Sequence, residues 1–325
     1  MSRCNDEMQF TTDSHSDPTR ANVGSTAFIA AVARAAEGKN KTRTPLVQDF
    51  VGQALFGFFT KPKSVPWGFC LLYTMFNWLP FTMPFFWFVK TFLKKDFLEA
   101  TDQIAVRSKF IDESIVEAIE KKSIKQVVII GAGLDARAVR MPIFQTTPSL
   151  RGYEIDFPGM LAEKHRLFAS VGYGDFYKTK DSDFKDNKPR VTLVGTDLSQ
   201  SPKTWQEDLL KAGFNKKVPT VWVTEGLTAY LEEPELKALF TAMTEFSAKG
   251  SEICSTWNGS TSKGRAWDQD IHRSFCDDPG KFYTPLKWSR MKLVSLGHAL
   301  RDVGVTKINF PVDSPCYWLS LYVKD

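Results

Sequence analysis

The sequence predicts an α/β protein: a doubly wound mixed sheet, mostly parallel with an antiparallel C-terminal strand, preceded by an N-terminal helical lid. Three observations carry this. From residue 125 onward, apolar strand-length runs alternate five times with helical patterns, as in a parallel sheet wound by crossover helices. Two late strand-like runs, 305–310 and 317–323, are too close together for a helical crossover and so pair antiparallel. Before residue 123 the patterns are helical. With 325 residues and 43% hydrophobic content, the chain can bury a large core without staples.

Taken in order, residues 1–22 are polar, lack an apolar signal core and read as a flexible terminus. A lid follows over 23–122. Ala27, Ile29, Ala30, Ala33 and Ala36 recur at helical spacing, and the pattern stops near Gly38. A second short helix is expected around 46–58. Residues 64–89 then run 26 positions without a charge, ten of them aromatic. The length would cross a bilayer, yet Pro66, Pro80 and Pro84 interrupt it, and Pro80 with Pro84 should split it into two apolar helices. For 64–93 three readings stay open: a lid or pocket wall, membrane-surface attachment, or a span. An amphipathic helix follows over 96–122. The core, 123–325, has strands expected at 126–130, 150–155, 190–195, 220–224 and 252–256. Its helices are expected at 135–141, 157–170, 204–212, 233–248 and 288–303.

Composition excludes several functions. A net charge of +5, from 42 Lys+Arg against 37 Asp+Glu, is too small to argue for nucleic acid. The five cysteines are scattered and odd in number, and the four histidines lie far apart without an HExxH. Disulfides and a metal site are therefore not expected, and a reducing, cytoplasmic compartment fits, with membrane association as the variant set by 64–93.

The chemistry gathers in VVIIGAGLDARAVRM, residues 127–141. An apolar strand enters Gly131-Ala132-Gly133, and a helix opens after Asp135. Gly131 permits a positive φ, and Gly133 permits close approach of a ligand to the backbone. The next strand, RGYEID, ends in Glu154 and Asp156, about where a carboxylate can accept both ribose hydroxyls of an adenosine. Because alternate strand residues share a face, either acid can serve. GxGxxA also fits a nicotinamide dinucleotide. Asp135 beside a diphosphate would be repelled, whereas S-adenosylmethionine brings cationic sulfonium and ammonium groups. Asp197 with Leu198, at a strand end, can hold an adenine amino group and cover the ring. Glu225 follows a buried strand and requires a cationic partner, for which the cofactor's ammonium or sulfonium would serve, unless it is a helix-capping or ion-paired residue. Arg107, on the helix before the first strand, is a counter-ion for the cofactor's carboxylate.

Together these segments resemble the leucine carboxyl methyltransferase family of class I S-adenosylmethionine-dependent methyltransferases, in its broad small-molecule O-methyltransferase branch. The matching segments are ARAAEGKNKTRTPLVQDF, VRSKFID, VVIIGAGLDARAVRM, EIDFPGMLAEK, GTDL and TEGLTAYLEEPELKALF, in family order over about 25–60 and 100–250. The resemblance implies a Rossmann-like class I methyltransferase core. It also implies cofactor contacts from Arg107, Gly131, Asp156, Asp197, Leu198 and Glu225, which prefers Asp156 over Glu154 for the ribose. The product would be S-adenosylhomocysteine, and no metal is needed.

Methyl transfer from a sulfonium is an in-line displacement that depends on proximity and a dry site. A carboxylate acceptor needs no general base; a hydroxyl does, with His165, His272 and Asp268 as nominal candidates. Tyr230, close to Glu225, can line the methyl path. Trp67, Tyr73, Trp78 and Trp87 would wall an apolar pocket. The expected acceptor is a small molecule, or a peptide terminus, with an apolar body and one carboxylate or hydroxyl. Two other readings compete: an NAD(P)-dependent oxidoreductase, and a relative that binds cofactor without turnover.

Overall fold

A computed structural model describes residues 18–38, 43–59, 83–147, 149–178, 191–198, 202–262, 272–305, 312–313 and 316–325. Helices α1 (Pro18–Glu37), α2 (Phe50–Phe59) and α3 (Met83–Lys122) precede the sheet. Strands β1 (Gln126–Ile130), β2 (Arg151–Asp156), β3 (Tyr177–Lys178), β4 (Val191–Gly195), β5 (Thr220–Thr224), β6 (Glu252–Asn258), β7 (Trp288–Ser295) and β8 (Tyr317–Lys324) form it. The remaining helices are α4 (Arg137–Arg140), α5 (Ile143–Thr146), α6 (Pro158–Ser170), α7 (Pro202–Lys211), α8 (Glu233–Glu245), α9 (Gly280–Tyr283) and α10 (Leu296–Asp302).

The eight strands lie in the order β3-β4-β2-β1-β5-β6-β8-β7. All neighbours pair parallel except β6 with β8 and β8 with β7. Outward from β1 lie β2, β4 and β3, and outward from β5 lie β6, β8 and β7. The seam between β1 and β5 is therefore the switch point where a doubly wound sheet opens a crevice at its carboxyl edge.

Every residue of β1 is buried. Period-two alternation sends Val127 and Ile129 to one core and Val128 and Ile130 to the other. Ile111 and Ile115 of α3 and Phe168 of α6 fill the first; Trp205 of α7 and Leu236 and Phe240 of α8 fill the second. Burial on both faces explains why the central strands read as unbroken apolar runs.

Several elements differ from expectation. Residues 288–295, expected as helix, are strand β7, and the helix occupies only Leu296–Asp302. A bulge between Arg290 and Lys292 breaks the strand's alternation and lets the apolar spacing imitate a helix. Consequently β8 pairs with β6 and β7, while the strand expected at 305–310 falls, beyond Val305, outside the described residues. Helix α1 begins at Pro18, inside the terminus expected to be loose, and the two-residue β3 was not anticipated.

Residues 83–89 of the apolar run open one continuous 40-residue helix with 96–122. Pro84 falls in its first turn, where no intrahelical donor is lost. Trp67, Tyr73, Trp78 and Pro80 lie outside the described residues. Among the described residues, no helix is long and apolar enough to cross a membrane.

Candidate cofactor and acceptor site

The loop after β1 turns through Gly131 at φ 69° and Gly133 at φ 45°, conformations that favour glycine. The N–H groups of Gly131 and Ala132 both donate to the Ile155 carbonyl, at 2.9 and 3.1 Å, which fixes the bend against β2. Gly133 N–H donates to Asp156 Oδ2 at 2.6 Å, and Phe157 N–H donates to Oδ1 at 2.7 Å. Each carboxylate oxygen of Asp156 thus keeps acceptor capacity beyond its one backbone donor. Burial pushes this carboxyl up, and the two backbone donors work against that shift.

Glu154 points along the same side of β2 but one pair deeper. It is fully buried and ion-paired with the equally buried Lys164 of α6. The Lys164 ammonium lies over the rings of Phe168 and Tyr177, 5.5 and 5.2 Å from their centroids. Within β2, then, the acid at the rim is Asp156, and Glu154 belongs to the interior.

Asp135 does not present a bare charge to the bend. It accepts the Arg137 N–H at 2.7 Å and pairs with the Arg137 guanidinium. Burial would raise its pKa, but Arg137 together with Lys164, Arg34 and Arg140 outweighs burial and holds the carboxyl below its ordinary value. A diphosphate at the bend would therefore meet a carboxylate whose charge is already compensated.

Arg137 is the centre of the site's electrostatics and was not singled out from the sequence. Only 1% exposed, it also donates to Asp112 at 2.7 Å and to Glu225 at 2.6 Å. Glu225 further accepts from Arg107 Nε at 2.8 Å and Ser108 Oγ at 2.9 Å. Burial would push Glu225 up, yet Arg137 and Arg107 hold it well below the carboxylate range. The cationic partner required by this buried acid is thus a pair of arginines. Arg107 also donates through Nη1 to Tyr317 Oη at 3.4 Å.

Helix α1 reaches this edge. A Cβ on Gly133 would stand 2.9 Å from the Ala27 Cβ of α1, and one on Gly131 would stand 3.0 Å from Leu227. Arg34 of α1 donates to the Leu134 carbonyl at 2.7 Å and to Asp49 at 2.9 Å. Tyr230 hydrogen-bonds Thr26 of α1 and lies in the field of Arg107 and Tyr317.

Asp197 and Leu198 follow β4, whose end pairs with the end of β2 through Asp156 and Gly195. Leu198 packs on the core beneath. The structure thereby brings Gly131, Gly133, Asp156, Asp197, Leu198, Glu225, Arg107 and Tyr230 to one sheet edge.

Of the nominal bases, His272 joins this edge through Tyr230: the ring centroids are 5.3 Å apart. His165 sits within α6, and Asp268 lies outside the described residues. Trp87 falls on α3. Among the described residues, no group of three or more His, Cys, Asp or Glu side chains is placed to hold a metal ion.

A doubly wound sheet with its switch point between β1 and β5, closed by an antiparallel strand inserted between β6 and β7, has the class I methyltransferase fold. The chain belongs to the leucine carboxyl methyltransferase family, whose model matches residues 27–244.

A relative from Mycobacterium marinum, provisionally named an S-adenosyl-L-methionine-dependent methyltransferase, is 32% identical over 235 residues, or 71% of this chain and 64% of that protein. One from Parafrankia, named in the same way, is 35% identical over 152 residues, or 46% of this chain and 42% of that protein. The matched regions thus span less than two thirds of these relatives' lengths. A crystal structure of a DUF574 family protein from Streptomyces avermitilis superposes with a TM-score of 0.48 at 12% identity, covering 68% of this chain and 84% of that one.

Proposed function

We propose that the chain is an S-adenosylmethionine-dependent O-methyltransferase. Its acceptor would be a carboxylate, or a hydroxyl, on an apolar small molecule or at a peptide C-terminus. The observation that carries this reading is the clamp at the switch point, where Asp156 takes one backbone N–H on each oxygen and keeps further acceptor capacity at the sheet rim.

The donor set fits the cofactor. Asp156 would hold the ribose hydroxyls, Asp197 and Leu198 the adenine, and Arg107 the carboxylate. Glu225 is kept ionised by its two arginines and holds them in place, and the Arg107 guanidinium that it positions stands beside Gly226. Bound S-adenosylmethionine supplies a methyl carbon on a sulfonium, which leaves as a neutral thioether when an acceptor oxygen takes the methyl. The chain's own part is to orient and to keep water out. Ala27, Leu227 and Tyr230 cover the bend. An acceptor carboxylate is already ionised at neutral pH, so no side chain has to remove a proton.

The test is calorimetric titration with S-adenosylhomocysteine and, separately, with NAD. The reading expects binding of the first and none of the second. NAD binding without S-adenosylhomocysteine binding would replace it with the oxidoreductase. A mass-spectrometric search for methylated products then separates an active enzyme from a relative that only binds.

A further inference from the structure

The family model ends at residue 244, and the chain beyond it supplies another wall of the same edge. Asn258 ends β6 directly opposite Tyr317 at the start of β8. The Asn258 amide lies 3.4 Å from His272 Nδ1, and the His272 ring meets Tyr230 edge-on. Tyr317 Oη accepts from Arg107, which is itself bound to Glu225. A ring of half-buried polar and aromatic groups therefore runs Tyr230–His272–Asn258–Tyr317–Arg107. Three of its five members lie outside the family-matched stretch. Residues that border the cofactor edge from outside the matched stretch are placed to set which acceptor is accepted.

Tyr317 has a specific chemical bias. One lone pair of its oxygen is taken by the Arg107 N–H, so the phenol's own proton is directed elsewhere. Accepting from a guanidinium polarises the phenol and strengthens it as a donor. A hydrogen bond to a charged oxygen is worth more than one to a neutral oxygen. We propose that Tyr317 is a specificity-determining residue. Its O–H would donate to an anionic acceptor oxygen and so favour a carboxylate over the corresponding alcohol, with the edges of Tyr230 and His272 flanking the apolar body. This rests on the methyltransferase reading and goes further by choosing between its two acceptor groups.

The experiment uses the full chain saturated with S-adenosylhomocysteine, titrated with decanoate and with decan-1-ol. For the unaltered protein, decanoate should bind at least about tenfold more tightly, as a hydrogen bond to a charged group implies. Tyr317→Phe keeps the ring and removes only the hydroxyl. It should bring the two affinities to within about threefold with the thermal midpoint nearly unchanged, S-adenosylhomocysteine being kept saturating for both proteins. An intact preference in Tyr317→Phe overturns the proposal, as does the absence of any preference, or of any binding, in the unaltered protein. Failure of S-adenosylhomocysteine to bind at all would instead strike the methyltransferase reading itself, so the two failures are distinct.

Discussion

Two groups of buried charge flank β1, and they are built on opposite plans. On the β5 side, Glu225 has two arginines and a serine hydroxyl as donors, and Arg137 spans three carboxylates. On the β2 side, Glu154 has one partner, Lys164, and its Oε1 is buried without any. Asp156, next along the strand, has only two backbone donors. Where several guanidinium and hydroxyl donors converge on a carboxylate, it is fixed in charge and place. Where capacity is left over, a carboxylate is free to take a ligand or a proton. The β5 side holds its charges in one arrangement, and the β2 side keeps spare capacity, at Asp156 for a hydroxyl donor and at Glu154 for a proton.

The largest effect should come from breaking the β5 side. Arg137→Met removes a 1% exposed guanidinium and leaves Asp135 with a single backbone donor. Stripping one member from a buried ionic network costs about 3–5 kcal/mol, so chemical denaturation should show a loss of that size. Arg137→Lys should rescue little, because a point charge cannot span three carboxylates. A loss under about 1 kcal/mol would mean the network relaxes easily, and the contrast between the two sides would disappear.

Asp156→Ala probes the open side. It removes the rim carboxylate and should weaken S-adenosylhomocysteine binding by roughly 1.5–3 kcal/mol, the scale of hydrogen bonds to a charged acceptor. Stability should fall by less, since only two backbone N–H groups lose a partner near the surface. Calorimetry with thermal melts separates the two readouts. Unchanged affinity would move the ribose contact away from this strand end.

How much of this could be read beforehand depends on how local each signal is. Strands β1 and β5 were legible to the residue because both faces are buried and an unbroken apolar run fills each, bounded by Gln126 in β1 and by Thr220 and Thr224 in β5. The segment 288–303 was misread because its bulge shifts the alternation, although Ser295, whose side chain accepts the His298 N–H, marks the helix start. The acids of the site were legible as types at strand ends, but their partners were not. Arg137 meets Asp112 across 25 positions and Glu225 across 88, and nothing in local spacing encodes such pairings. The nearest clue was Arg137 itself, a charge inside a stretch otherwise destined for burial, which obliges the fold to supply counter-ions. Lys164 lies only 10 positions beyond Glu154, but the turn that folds α6 back on β2, not helical or strand spacing, is what joins them.

The smallest effect, and the one that tests the contrast most directly, is a pH dependence. Burial pushes the Glu154 carboxyl up to about 7, against the attraction of Lys164, with Asp135 and Asp156 opposing a further negative charge nearby. In the unfolded chain it titrates near its ordinary value of 4.5. Between those limits the folded protein holds a proton that the unfolded chain has released. Glu154 therefore makes stability decline as pH rises through that window, the reverse of a carboxylate whose pKa is depressed by a salt bridge. Glu154→Gln abolishes the titration and leaves the Lys164 ammonium facing an amide, a penalty that is constant across the window. The thermal midpoint of Glu154→Gln relative to the unaltered protein should accordingly climb between pH 4.5 and 7 and level off above it. A relative midpoint that stays level throughout would mean Glu154 remains ionised beside Lys164 at every pH, as fixed in charge as Glu225 across the seam.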